Sequence, residues 1–353
     1  MTGPASTRRA VSHAHARVSV LIPVWNAAET LGEALEDVAR QTRPDWECIV
    51  VLDGPTDRSS EIASEYATRD ARFRVLARSH EGLVAALNAG LAAVRAPVVA
   101  RFDADDRMHP ERLARQLALL DAQPEIGVVT CGVAYDLVGA APERGGAGMD
   151  RHVAWLNSLD TPAKLRAARC IDAPVVHPAT AFRVEQVRAL GGYRDGPFAE
   201  DHDLWLRLFA AGVTFARVPE TLVTWRDRAD RLTRLDTRYA EDGRRRLVHA
   251  HLCDGPLAHP RHARIWGAGR YGRRHALELV QRGARIDDLI DVDPKKIGQR
   301  MAGGLRVVAA ESIGPPDGRL ILAAVASAGA RALIAAFLAA RGYEEERDWL
   351  ALQ

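Results

Sequence analysis

From Val18 onward, short apolar runs alternate with amphipathic stretches, and this alternation constrains the fold more than any other feature of the chain. VSVLIPV, ECIVVLD, FRVLA and PVVARFD are nearly continuously apolar, as strands buried on both faces of a parallel sheet are. The stretches between them carry helical spacing. In ETLGEALEDVARQ, Leu31, Leu35 and Val38 share one face. HEGLVAALNAGLAAV and PERLARQLALLDAQ repeat the pattern, with Leu113, Leu117 and Leu120 aligned in the second. An alternating βαβα order predicts an α/β fold built on an open, mostly parallel sheet. Ligands of such sheets bind beyond the carboxyl ends of the strands, so polar residues there are the first candidates for function.

The bulk numbers narrow the class. A chain of 353 residues is long enough for about two domains. Its 48 basic and 46 acidic side chains leave a net charge of +2, which removes the electrostatic case for a nucleic-acid partner. Cys48, Cys131, Cys170 and Cys253 lie too far apart for a metal or redox motif, and free buried thiols in a reducing compartment are expected. No apolar run approaches the ~20 residues that span a bilayer, and the N-terminus has no secretory h-region. The expectation is a cytoplasmic protein with at most peripheral contact at the inner face of a membrane. Residues 1–16 read as a tail, 17–230 as a first α/β domain, 231–262 as a charged helical linker and 263–353 as a second α/β domain. GAAPERGGAGMD, at 139–150, reads as a loop.

Acids gather at the predicted strand ends. Asp53 follows ECIVVL; Asp103, Asp105 and Asp106 follow VVARF; Pro23 and Asn26 close the first strand. Carboxylates at i and i+2 across a tight turn suit one hard cation, Mg²⁺ or Mn²⁺, whose shell phosphate oxygens would complete. The alternative is that such acids cap helices or form turns, and Asp57 is read that way. A second pair, Glu200 and Asp201, precedes LWLRLFAAG, whose buried face is read as Leu204, Leu208 and Ala211. The helix dipole favours an ionised acid there, and an ionised acid can act as a general base.

VSVLIPVWNAAETLGEALEDVARQT, VVLDGPTD, GLVAALNAGL, ARFDADDRMHPERLARQ and AEDHDLWLRL occur in that order. Together they resemble the family 2 glycosyltransferases over about residues 17–230. The resemblance implies a GT-A nucleotide-diphospho-sugar transferase fold and an inverting, metal-dependent transfer from a nucleoside-diphosphate sugar, foremost a UDP-sugar. The acceptor would be a hydroxyl on a glycan, a lipid-linked intermediate or a small molecule, in bacterial cell-surface glycan synthesis. Pro23, Val24, Asn26 and Glu29 would line the nucleotide pocket, and Asp53 would contact the base. Asp103 would hold the ribose or metal waters, Asp105 would be the direct metal ligand, and Asp201 would be the base. Glu200, His177 and Arg226 are secondary candidates: Glu200 to orient the acceptor or cap its helix, His177 to reach metal or acceptor or to be a packed core histidine, Arg226 to clamp phosphate or lie solvated. LDGPTD departs from the family's usual DDGSTD at Leu52 and Pro55, which weakens the case for the nucleobase. Neither the QxxRW signature nor the membrane helices of processive synthases are present, which favours adding a single sugar.

ARIWGAGRYGRRHALELVQRG places Gly267, Gly269 and Gly272 in a GxGxxG turn between a strand and a helix. Asp291 and Asp293 end the next strand. This stretch resembles the small Rossmann-type units of bacterial surface-sugar enzymes. It implies binding of NAD(P) or another nucleotide, or a purely structural accessory module. Two further readings follow: an NAD-dependent sugar-modifying enzyme, or a non-catalytic scaffold that keeps sugar-nucleotide binding. A homo-oligomer is left open.

Overall fold

The computed structural model describes residues 16–137, 146–227, 231, 234 and 236–353. The expected tail, but for Ala16, and the first part of the expected 139–150 loop lie outside the described residues. The chain forms two compact units. The first comprises Met1–Asn157, Val176–Tyr193 and Ala216–Arg228; the second comprises Ser158–Val175, Arg194–Phe215 and Ala229–Gln353.

The first unit carries the expected alternation. Strand β1 (Val18–Val24) leads to helix α1 (Leu31–Ala39), then β2 (Trp46–Asp53), α2 (Ser59–Arg69), β3 (Phe73–Arg78), α3 (Leu83–Ala93) and β4 (Val98–Arg101). There follow β5 (Arg107–Met108), α4 (Arg112–Ala122), β6 (Ile126–Leu137), β7 (Ala181–Arg183) and β8 (Thr214–Asp227). The eight strands lie in the order β3-β2-β1-β4-β7-β6-β8-β5. Pairings among β1 to β4 are parallel, while β4–β7, β6–β7 and β5–β8 are antiparallel. Every residue of β2 is buried, as its unbroken apolar run requires. Leu31, Leu35 and Val38 of α1, and Leu113, Leu117 and Leu120 of α4, enter one core with Val20, Ile22 and Val50. The strand order reverses at β1, with β2 on one side and β4 on the other. Chain returning to opposite sides of β1 opens a crevice at its carboxyl end.

Two local expectations are corrected. The 139–150 loop is already helical from Gly146, in a helix running to Ser158. Met149 and Val153 pack against the core, and that burial outweighs the glycine-rich composition. The 200–210 helix buries Leu204 and Leu208 but leaves Ala211, its C-cap, exposed.

The second unit holds a six-stranded sheet: β9 (His262–Trp266), β10 (Arg285–Asp291), β11 (Arg300–Met301), β12 (Leu305–Ala309), β13 (Leu320–Ala323) and β14 (Trp349–Ala351), in the order β11-β12-β10-β9-β13-β14. All pairings are parallel except β11–β12. Counted along the chain, the parallel strands stand in the order 3-2-1-4-5. Helices Arg270–Gln281 and Ala330–Ala339 provide crossovers, and helix Glu241–Asp254 precedes the sheet. Gly272 is required by packing: a Cβ there would lie 1.8 Å from the Gly267 carbonyl oxygen. Among the described residues no helix is long and apolar enough to cross a membrane. Cys48, Cys131 and Cys170 are free and buried as expected; Cys253 is only partly covered.

Candidate active site

The carboxyl edge of the first sheet collects the predicted acids of the first unit. Parallel register sets Val24 beside Leu52 and Leu21 beside Arg101, so the chain leaves β1, β2 and β4 on the same side. Asp53 ends β2 and is 3% exposed. Its two carboxylate oxygens accept the backbone N–H groups of Glu81 and Gly82, each at 2.9 Å, and His80 Nδ1 stands 2.8 Å from Oδ2. Asp53 therefore ties the end of β2 to the segment that enters α3. Gly54 makes this possible: its φ is +61°, and a Cβ there would come 2.6 Å from the His80 nitrogen.

The end of β1 is laced to the same region. Pro23 is half-buried and Val24 buried, while Asn26 and Glu29 are exposed. Asn26 adopts φ +49°, a conformation asparagine tolerates. Its Oδ1 accepts the Thr56 N–H at 2.8 Å. Asp57 accepts from the Ser59 and Ala28 N–H groups at 2.9 Å, the turn-forming role expected of it. Between these residues stands Trp25, 57% exposed and stacked on His80 with ring centroids 4.9 Å apart and planes 21° from parallel. The sequence reading missed Trp25. Its signal was a large aromatic directly after a buried strand, where no core position remains for it.

Beyond β4, Asp103, Asp105 and Asp106 bring carboxylate oxygens within 4.8 Å of one another. Arg101, whose side chain is 2% exposed, donates to Asp103 Oδ1 at 2.6 Å and offsets part of the cluster's charge. Asp106, 1% exposed, accepts the Arg226 backbone N–H at 2.9 Å and so fastens the end of β8 to this turn. Arg226 is not the solvated arginine that its charged surroundings suggested. Its side chain is 15% exposed and pairs with Glu33 at 2.6 Å. The donor set is all oxygen and is gathered in one turn, the ligand chemistry that a hard divalent cation takes.

His177 opens a short 3₁₀ turn before β7, is 7% exposed, and has Nε2 2.7 Å from the Tyr193 hydroxyl. Burial, and then nearby Arg101, push this imidazole well below its usual range, so it is neutral at pH 7.

In the second unit, Glu200 and Asp201 occupy the first turn of the 200–210 helix. Glu200 is buried and accepts from the Tyr239 hydroxyl at 2.7 Å; Asp201 is half-buried and accepts its neighbour's N–H, from His202, at 2.7 Å. Asp203 pairs with Arg207 one turn on, as a first-turn acid does. Tyr239 was another residue that the sequence reading did not single out. In the glycine turn, Gly267 (φ +119°) and Gly269 precede the 270–281 helix. Asp291 accepts the Ala268 N–H at 2.8 Å and meets Lys296 Nζ at 3.1 Å. That carboxylate braces the turn.

Comparison with known proteins gives the family. Residues 19–190 match the family described as glycosyl transferase family 2. The chain is 33% identical over 215 residues to the amylovoran biosynthesis glycosyltransferase AmsE of Erwinia amylovora, covering 60% of this chain and 77% of that protein. It is 30% identical over 232 residues to the putative glycosyltransferase EpsE of Bacillus subtilis, covering 64% and 78%. Among solved structures, TarS 1–349 of S. aureus in complex with UDP-GlcNAc is similar with a TM-score of 0.54 at 17% identity, over 75% of this chain and 72% of that one. From the ordered motifs, the sheet that carries them and the extent of these matches, the chain belongs to the family 2 glycosyltransferases.

Proposed function

We propose that the protein is an inverting, metal-dependent transferase that moves one sugar from a nucleoside-diphosphate sugar, foremost a UDP-sugar, to a hydroxyl acceptor in cell-surface glycan synthesis. The observation that carries this reading is the three-carboxylate cluster at the carboxyl edge of the sheet, where the strand order reverses. The biosynthetic name of the AmsE relative and the UDP-GlcNAc bound by TarS support it. Residues 17–230 would form the GT-A transferase domain, 231–262 a linker and 263–353 a Rossmann-like accessory module of strand order 3-2-1-4-5. Nicotinamide chemistry is not part of the proposal.

Each side chain has a stated task. Trp25 stacks on the nucleobase with the face turned away from His80. Asp53 accepts from the base: a carboxylate offers about four lone-pair sites, and three donors already approach this one. Asp103 holds the ribose or metal waters, and Asp105 with its neighbours holds Mn²⁺ or Mg²⁺. When bound, the ion stabilises negative charge on the departing diphosphate. Asp201 takes the acceptor hydroxyl's proton on a carboxylate oxygen as that hydroxyl's oxygen bonds to the anomeric carbon. The bond from that carbon to the phosphate oxygen breaks, its electron pair leaves with the nucleoside diphosphate, and the configuration inverts. Glu200, held by Tyr239, orients the acceptor.

Calorimetry of UDP binding with and without Mn²⁺ tests the reading. Asp105→Ala should abolish Mn²⁺-dependent binding, while Asp201→Asn should bind UDP normally and lose transfer by about 10²–10⁴-fold. Mn²⁺-independent UDP binding in the wild type would refute the metal site, and transfer at the wild-type rate by Asp201→Asn would refute the base.

A further inference from the structure

The second unit contains a hollow of about 690 Å³, a size typical of small-molecule sites, and no residue predicted for the donor site lines it. Pro197, Phe198, Ala210 and Pro256 give it an apolar floor, while Leu206, Phe209 and Leu247 of its lining are buried. Six arginines surround that floor: Arg166, Arg169, Arg194, Arg207, Arg246 and Arg282. Three of these charges are answered locally. Arg166 and Arg169 meet Glu346 at 2.9 and 2.6 Å, and Arg207 meets Asp203 at 2.7 Å. The other three are exposed, and among the described residues Arg194, Arg246 and Arg282 have no side-chain hydrogen bond or ion pair. The other lining acid is Asp254. His251, also in the wall, is pushed down to about 4, first by burial and then by Arg169 and His202, so it is neutral at pH 7. A concave, low-dielectric wall with excess positive charge focuses its field into the hollow, which solvated arginines on a convex face do not do.

We infer that this hollow is a second ligand site, for a phosphate-bearing molecule with an apolar portion. Arg194, Arg246 and Arg282 take phosphate oxygens through their planar donor forks, and the Pro197–Phe198–Ala210–Pro256 floor takes the carbon part. The wall residues Asp203, Leu206, Arg207 and Phe209 belong to the helix whose first turn holds Asp201, so a ligand seated here packs on the same helix as the proposed base. The site itself needs neither the metal nor the donor.

Binding of geranyl diphosphate and of inorganic pyrophosphate to the full chain, measured by calorimetry in EDTA, tests this apart from the donor site. The wild type should bind both, geranyl diphosphate about tenfold more tightly because of the apolar floor. The double variant Arg194→Glu, Arg246→Glu should weaken both by at least about tenfold while keeping Mn²⁺-dependent UDP binding. Arg282→Glu, at the C-cap of the 270–281 helix, gives the same readout should the double variant fail to fold. Absence of binding by the wild type, or binding undiminished by charge reversal, overturns the site. Equal affinity for the two ligands overturns its apolar half. Loss of Mn²⁺-dependent UDP binding in Asp105→Ala with EDTA-stable diphosphate binding intact would show the two sites to be independent, as this inference requires.

Discussion

At the scale of single residues, the carboxyl edge of the first sheet depends on a few side chains. Trp25 keeps over half its surface exposed although tryptophan is costly to leave in water, and its ring stacks on His80. Trp25→Ala should raise the dissociation constant for UDP about tenfold, since a stacked base contributes ~1–3 kcal/mol. Its melting temperature should stay near wild type, because little buried area is lost. Unchanged UDP affinity in calorimetry would remove the stacking role. Gly54→Ala tests the turn that carries Asp53. A positive φ and the 2.6 Å approach to the His80 nitrogen should together cost about 2 kcal/mol in urea unfolding. Wild-type stability would mean the turn is not held in this form.

At the scale of elements, the strand ends are held by buried polar side chains as well as by the apolar core. Arg112, at the start of α4, is fully buried. It donates through Nη2 to the carbonyls of Arg101 and Thr180 at 2.8 and 3.1 Å, and through Nε to Gln116 at 3.1 Å. Burial lowers its pKa to about 10, so it stays charged at pH 7. It thus joins β4, from which the DADD turn hangs, to the residues before β7. Arg112→Ala should cost about 3 kcal/mol by removing three buried hydrogen bonds, although the Thr180 carbonyl keeps the Arg101 N–H, and it should weaken Mn²⁺-dependent UDP binding by releasing Arg101 and with it Asp103. A variant as stable as wild type in urea would show that the carbonyls find water instead. Helix α2 illustrates what periodicity overlooks. SSEIASEYATR buries only Ser59 and Ala63, so its apolar signal is weak, and its start is set by Asp57 and Ser59 hydrogen-bonding across the loops.

At the scale of the whole molecule, the buried histidines set the response to acid. His177 and His202 are pushed below their usual range by burial; His249 is pushed to about 3, and His251 and His275 to about 4. Each would titrate near 6.5 in the unfolded chain. Below that pH the unfolded state therefore binds more protons than the folded state, and stability falls as pH falls. The stability from neutral burial is complete above about pH 6.5 and is lost on going down toward about pH 4. Urea unfolding at pH 7.5, 6 and 5 should show a progressive decline. A flat profile from pH 7.5 to 5 would contradict neutral burial of these imidazoles. His249 and His275, in contact at 2.8 Å, are the pair whose replacement by glutamine should flatten the decline most.

The sequence alone determined the strand-and-helix alternation, the parallel pairing of β1 to β4 and the positions of the acids at strand ends, whereas the antiparallel half of the first sheet departs from the mostly parallel sheet expected. These are local properties: unbroken apolar runs, helical spacing and motifs whose members lie within a few residues of each other. Asp103, Asp105 and Asp106 were legible because one turn holds them all. Only the tertiary structure decided the partners of those side chains. Arg101 on Asp103, the β8 backbone on Asp106, Glu81 and Gly82 on Asp53, and Tyr239 on Glu200 come from other segments, brought there by strand order and packing. The same holds for the arginine-lined hollow, whose charges are scattered from Arg166 to Arg282 and leave no spacing to read. A hydrogen bond or a shared field depends on distance in space, and distance in space between remote residues is fixed by the fold as a whole.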